Sequence, residues 1–398
     1  MRISTVTIFE QGVSSMHRQQ NNFMETGQQI ASGRRVVRPS DDPQAAAQAV
    51  GVSRSRAVTE QYMDARVSAR NSLSQEESVL ASVADGISSA KTLLIQGASD
   101  TLSDADRSSV ASELKGIRET LLGQANATDG NGRYLFGGYE NGSAPFLKDA
   151  TGAIQYTGDA NALELRIDAS RQMPVADNGE TVFQSVPGGT GYVAEAGDGN
   201  TGSARFTGPG TLDPSDPDHG SAFTIDFSVT AGTTEYSVNG GALQAYQAGD
   251  PIEFGGLSLT VEGSPEDGDS IAVAPAQQMN TDLFATLNKA IDVLDTPNQT
   301  DADRARLHNT LSTAMRELDN SLDNVLTTRA SVGARLNELD TVDSVAEQRL
   351  LNYDQALSDL VDLDYVEAIS DYSRRQIGLE AAQKSFADIS RLSLFRHI

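Results

Sequence analysis

No proline follows Pro297, and from Leu307 to Leu360 apolar side chains return every three or four residues, through Leu311, Leu318, Val325, Val332, Leu339, Ala346 and Tyr353. This spacing places them on one stripe of a helix much longer than an ordinary globular domain contains. Such a helix holds together only when another element covers its stripe. A matching stripe lies in the first quarter of the chain, where Leu73, Leu80, Ile87 and Leu94 recur every seven residues and Tyr62, Ala69, Val83 and Ala90 form the adjoining row. No proline interrupts the chain from Gln44 to Gly97. Roughly 50 helical residues at about 1.5 Å each reach about 80 Å, so the two stripes are expected to lie against one another, antiparallel.

Between these stripes the texture changes. A third helix is expected from Ser103 or Asp104, with Val110, Leu114, Ile117 and Leu121 inward, ending before the turn Thr128-Asp129-Gly130-Asn131-Gly132. After Gly142, apolar and polar residues alternate in Ala153–Thr157, Leu163–Ile167, Thr224–Val229 and Leu257–Val261, between clusters of Gly, Asp and Pro. Alternation of period two between turn residues marks strands. The expected fold class is α+β: an elongated antiparallel helical rod or coiled coil from both chain ends, with an inserted β-rich domain at its tip. The expected division is 1–38 for an N-terminal assembly helix, 39–140 and 277–362 for the two halves of the helical rod, 141–276 for the β-rich domain and 363–398 for a C-terminal assembly helix. Gly197 to Gly220 reads as its longest irregular loop.

Each terminus carries its own seam. Val6, Phe9, Val13, Met16, Phe23 and Ile30 follow heptad steps interrupted by Gln20 and Gly27. Ile369, Tyr372, Leu379 and Phe386 do the same at the other end, followed by Ile389, Leu392, Leu394 and Phe395. Placement at the extreme ends and the glutamines that break both seams suit surfaces that order on association. An intramolecular coiled coil is the plainer alternative.

Between the first seam and the first long helix stands SGRRVVRPSDDP. Gly33 suits a left-handed helix end and Pro39 holds Arg38 extended. The next helix is capped either by Asp41 with Gln44, or by Asp42 with Pro43 at the first helical position. Turn chemistry requires none of Arg34, Arg35 and Arg38. Their planar guanidinium groups suit bidentate bonds to carboxylates of a neighbouring helix or subunit.

Composition excludes more than it assigns. A formal net charge of −25 opposes phosphate recognition, so neither nucleic acid nor insertion into a membrane is an expected partner. With no cysteine there is no disulfide framework and no thiolate metal site. His17, His219, His308 and His397 are scattered with no ligand spacing, and no GxSxG elbow is present. The acidic run Asp213 to His219 lacks the calcium-loop pattern. No catalytic residue, metal or cofactor is expected.

Three stretches together carry a resemblance: SGRRVVRPSDDPQAAA, GRYLFGGYENGSAPF and DYVEAISDYSRRQIGLEAAQKSFADISRLSLFRHI. They resemble the flagellin superfamily over roughly residues 1–140 and 275–398. Arg38-Pro39-Ser40-Asp41-Asp42-Pro43 and the ending Leu392-Ser393-Leu394-Phe395 look like the hook–filament junction branch rather than flagellin itself. The resemblance implies terminal helices in an inner coiled coil, a helical region outside them and a β domain facing solvent. It implies a non-enzymatic structural role in the bacterial flagellum, outside the cell, after export through the flagellar type III apparatus without a cleaved signal. The implied partners are hook-associated protein 1, flagellin, like subunits in a ring, and an export chaperone. A divergent flagellin, or a secreted binding module or adhesin on a helical stalk, are the competing readings.

Overall fold

The structure is a computed structural model that describes residues 5–391. In chain order it contains α1 (Thr5–Ser32), α2 (Pro43–Gly97), α3 (Asp104–Ala125), β1 (Phe146–Lys148), β2 (Ile154–Tyr156), β3 (Leu163–Asp168), β4 (Arg171–Ala176) and α4 (Gly179–Phe183). Then come β5 (Tyr192–Ala196), β6 (Arg205–Thr211), β7 (Phe223–Thr230), β8 (Thr233–Val238), β9 (Gln244–Ala245), β10 (Pro251–Phe254), β11 (Leu257–Glu262) and β12 (Ser270–Pro275). Three helices close the chain: α5 (Leu283–Asp295), α6 (Asp301–Val361) and α7 (Tyr365–Arg391). The fold is α+β, and it divides into two compact units, residues 1–64 with 341–398 and residues 65–340.

In the larger unit the seam of α2 is its most deeply buried feature: Leu73, Leu80, Ile87 and Leu94 are all fully enclosed, against Leu311, Leu318, Val325 and Val332 of α6 and the inward face of α3. Each such side chain contributes about 1.5–3 kcal/mol of burial. Among the described residues α2 is the one helix long and apolar enough to cross a membrane by length and composition, and Leu73, Leu80, Ile87 and Leu94 on it lie in the protein core. Ion pairs mark the antiparallel sense, from Arg70–Asp340 at 2.6 Å through Glu77–Arg329 at 2.6 Å to Lys91–Asp319 at 2.5 Å. Ser103 caps α3, accepting from Asp106 N while Asp106 accepts from Ser103 N, a reciprocal pair of bonds that fixes where the helix starts.

The segment expected as one β-rich domain divides between two cores. Hairpins β1–β2 and β3–β4 join the helical core, where Phe136, Phe146, Phe183 and Phe284 interlock with ring centroids 5.2–6.1 Å apart. Phe136 is fully buried there. Gly179 must lack a side chain, because a Cβ would meet the Phe146 ring at 2.5 Å. Arg66 of α2 donates to the Ile167 carbonyl at 2.7 Å and fixes β3 to the helix.

The remaining strands form two antiparallel sheets, β5-β12-β7-β8-β9 and β10-β11-β6, enclosing Phe206, Ile225, Phe227, Leu259, Val261 and Val273. Because β5 pairs with β12, the chain enters and leaves this sandwich on adjacent strands, the connection an insertion requires. The expected irregular loop contains β6, whose pairing with β11 its Gly-Pro content hides. Asn309 of α6 accepts from Phe206 N at 3.1 Å and donates to the Ala204 carbonyl at 2.8 Å, while Thr313 donates to the Ala194 carbonyl at 2.7 Å. These buried bonds seat the sandwich on α6. In the Asp213 to His219 run the carboxylates serve turns: Asp213 accepts from Ser215 N and Asp216 from Asp218 N, both at 2.9 Å.

Candidate assembly interface

The smaller unit contains α1, the start of α2, the end of α6 and α7. The joint forms first, from local chemistry. Gly33 takes φ +68° and ends α1 in the left-handed region. Asp42 accepts from Ala45 N at 3.0 Å with Pro43 at the first helical position, which resolves the two sequence alternatives for the cap. Asp41 accepts from Arg38 N at 2.7 Å and Val37 N at 3.2 Å, closing the turn that Pro39 and Ser40 occupy. The Ala45 amide, and after it Arg35, hold the Asp42 carboxyl below its usual range.

Sequence reasoning placed the joint on one strand only, but it has two. Arg34 bridges antiparallel to Asp362, Arg35 N donates to the Val361 carbonyl at 2.8 Å, and Leu363 N donates to the Gly33 carbonyl at 3.1 Å. Asp364 then caps α7, accepting from Val366 N at 2.9 Å and Glu367 N at 3.2 Å. An Asp three residues before a Glu was the available sequence signal.

The arginines divide. Arg35 reaches the Leu360 carbonyl at 2.7 Å and Asp42 at 3.3 Å, so its main partner is the negative end of α6 rather than a carboxylate alone. Arg34 and Arg38 are exposed, and among the described residues their side chains make no hydrogen bond or ion pair.

Helix α7 lies along α1. Phe23 stacks on Tyr372 with centroids 4.5 Å apart, and Arg375 donates to the Asn22 carbonyl at 2.9 Å. Gly27, read as a break in the seam, lies beneath that same ring: a Cβ there would sit 3.5 Å from Tyr372 Cε2. Gly12 does the same beneath Phe386, at 3.4 Å. Glycine lets the aromatic rings approach the α1 backbone, a close contact that a count of apolar residues overlooks.

Val13, Met16, Phe23 and Ile30 are half-buried, as are Tyr372, Leu379 and Phe386. Among the residues of α1 whose side chains are described, Thr26 is the most buried and donates to the Asn22 carbonyl, whereas Gln20 is exposed. Ile369 departs from the expected seam. It is 54% exposed and shares an outward stripe with Val366 and Ile377, while Ala368 takes the buried place beside it. Within α7 the row beside Tyr372 is one position earlier than counted: Tyr372, Leu379 and Phe386 keep their places against α1, while Ala368 and Arg375 take those counted for Ile369 and Gln376. Val6, Phe9 and Ile389 lie on α1 and α7, with side chains outside what the structure describes; Leu392, Leu394 and Phe395 lie outside the described residues.

The two helices thus meet through aromatic rings seated on glycines, and α7 turns a second apolar stripe outward. Residues 3–141 match the bacterial flagellin N-terminal helical region. Flagellar hook-associated protein 3 of Escherichia coli is 35% identical over 397 residues, covering 100% of this chain and 99% of that protein, and its Salmonella typhimurium counterpart is 33% identical over the same length. A Clostridium tyrobutyricum flagellin is 21% identical, with 95% and 96% of the two chains covered. Among solved structures, the flagellar junction protein FlgL from Legionella pneumophila superposes with TM-score 0.66 at 25% identity, covering 79% of this chain and 100% of that one. The chain belongs to the flagellar hook-associated protein 3 family, within the flagellin superfamily.

Proposed function

We propose that α1 and α7 are the assembly surfaces of a structural junction protein of the bacterial flagellum. The supporting observation is the outward stripe of Val366, Ile369 and Ile377, at 80%, 54% and 66% exposure on a helix whose other face is already occupied by α1. Exposed branched aliphatics at helical spacing call for cover by another chain. Placed in the flagellum, outside the cell, the protein connects hook components to filament. Its immediate neighbours in this reading are hook-associated protein 1, flagellin and further copies of itself in a ring, with an export chaperone before assembly.

The role is structural and not catalytic. Full-length identity of 35% with a hook-associated protein 3, against 21% with a flagellin, favours the junction over a divergent filament subunit. Absence of cysteine makes a clean test available. Ile377→Cys, labelled with a photoactivated crosslinker, should give adducts with neighbouring chains in isolated flagella and none in dilute soluble protein. Flagella that yield no adduct at Ile369 or at Ile377 would contradict the assignment of this face.

A further inference from the structure

The first turns of α2 carry a stripe that the fold itself does not cover. Val50, Arg54 and Val58 stand one turn apart, about 6 Å between neighbours along one side of the helix, and all three are exposed, Val50 by 70%. The opposite side is the one that packs. Ala45 and Thr59 are buried there, and Arg56, across the helix from Arg54, lies 2.8 Å from Asp354 of α6 and 3.2 Å from Glu60. Arg54, by contrast, makes no hydrogen bond or ion pair among the described residues.

The end of α6 carries a second uncovered face. Leu351 is 63% exposed, and Glu347, one turn before it on the same side, is exposed and unpaired among the described residues. Asp354, three residues beyond Leu351, is already engaged by Arg56. Both faces belong to the smaller unit.

Neither face finds an opposite charge on its own copy, since Arg54 would meet arginine and Glu347 would meet glutamate. The two faces do complement each other. Setting Arg54 of one chain against Glu347 of the next places Leu351 one turn away, against Val50 or Val58, so a single register pairs the free charges and covers the aliphatic side chains. Charge also restricts how copies can meet: chains of formal net charge −25 repel one another, and contact between them is favoured where a cation faces a carboxylate. A contact between two unlike faces repeats from copy to copy and closes into a ring when its rotation allows.

We propose that α2 and α6 form a head-to-tail contact between copies of this chain, with Val50, Arg54 and Val58 of one copy packed on Glu347 and Leu351 of the next. The proposal rests on the flagellar placement above and adds a surface separate from α1 and α7. The test is charge reversal in the full chain, expressed in cells lacking the native gene, with the amount of the protein retained in isolated hooks and filaments as the readout. Arg54→Glu and Glu347→Arg should each lower retention at least about fivefold, and the double variant, which restores opposite charges across the contact, should recover most of the loss. Both side chains are exposed and unpaired, so urea unfolding of each soluble variant should match that of the parent chain. As a second readout, chains carrying Val50→Cys and chains carrying Leu351→Cys, expressed together with tags of different size, should form a mixed disulfide in oxidised flagella, while neither forms a disulfide dimer alone. Retention unchanged by both reversals, a double variant no better than either single one, or the absence of the mixed disulfide would overturn the proposal; a failed rescue would assign these faces to a different flagellar protein. Failure of the flagellar placement itself would be distinct, because the parent chain would then be missing from isolated hooks and filaments.

Discussion

Gly33 and Gly116 are both glycines in helical surroundings, yet their backbones demand opposite things. At Gly33 φ is +68° and a Cβ would meet Tyr365 Oη at 3.0 Å, whereas a Cβ at Gly116 within α3 meets nothing within 4 Å. Gly33→Ala should therefore destabilise the smaller unit by about 1–2 kcal/mol, and Gly116→Ala should stabilise the larger by about 0.5–1 kcal/mol, both read by urea unfolding. Glu76 supplies a second prediction. It is fully buried on α2, and burial first, then the charge of Asp177, pushes its carboxyl up to about 8, while Arg335 acts in the opposite direction. The folded chain thus keeps a proton that the unfolded chain releases near 4.5. The stability this contributes is full below the ordinary value and declines as pH rises, by about 1.4 kcal/mol per unit, until about 8. Glu76→Gln removes the titration, so between pH 6 and pH 8 native protein should lose stability relative to the variant; parallel curves in urea would contradict the assignment. Glu76 and Arg66 were invisible in the sequence, because a polar residue beside a seam reads as solvent-facing until the element covering it is known.

Heptad counting locates helices well and their phase poorly. The seam of α2 was legible because four leucine or isoleucine positions share one period with no break, and Gly33, Asp42 and Pro43 were legible because each has a backbone requirement that few residues meet. Ile369 was misplaced by one position inside α7, where Ala368 takes the buried place although Tyr372, Leu379 and Phe386 keep the counted row. Alternation likewise showed that β2 and β3 are strands without showing that their buried face meets helices instead of the sandwich. The cover of α1 consists of half-buried contacts with α7. Amides of residues 10–32 should exchange rapidly in the free chain and slowly after incorporation into flagella. Strong protection in the free chain would make α1 part of the monomer's stable fold and not a surface completed by neighbours.

The deepest burial lies in residues 65–340, and the exposed apolar stripe of Val366, Ile369 and Ile377 lies on α7. That distribution suits a chain with a self-sufficient body and ends that need company. Full-length similarity to hook-associated protein 3 places the protein in the flagellum. The most direct measurement is electron microscopy of cells lacking this gene, together with an assay for flagellin in the medium and complementation by the intact gene. The account predicts hooks without filaments, flagellin shed as monomer, and filaments restored on complementation. Normal filaments in the deleted strain would contradict it.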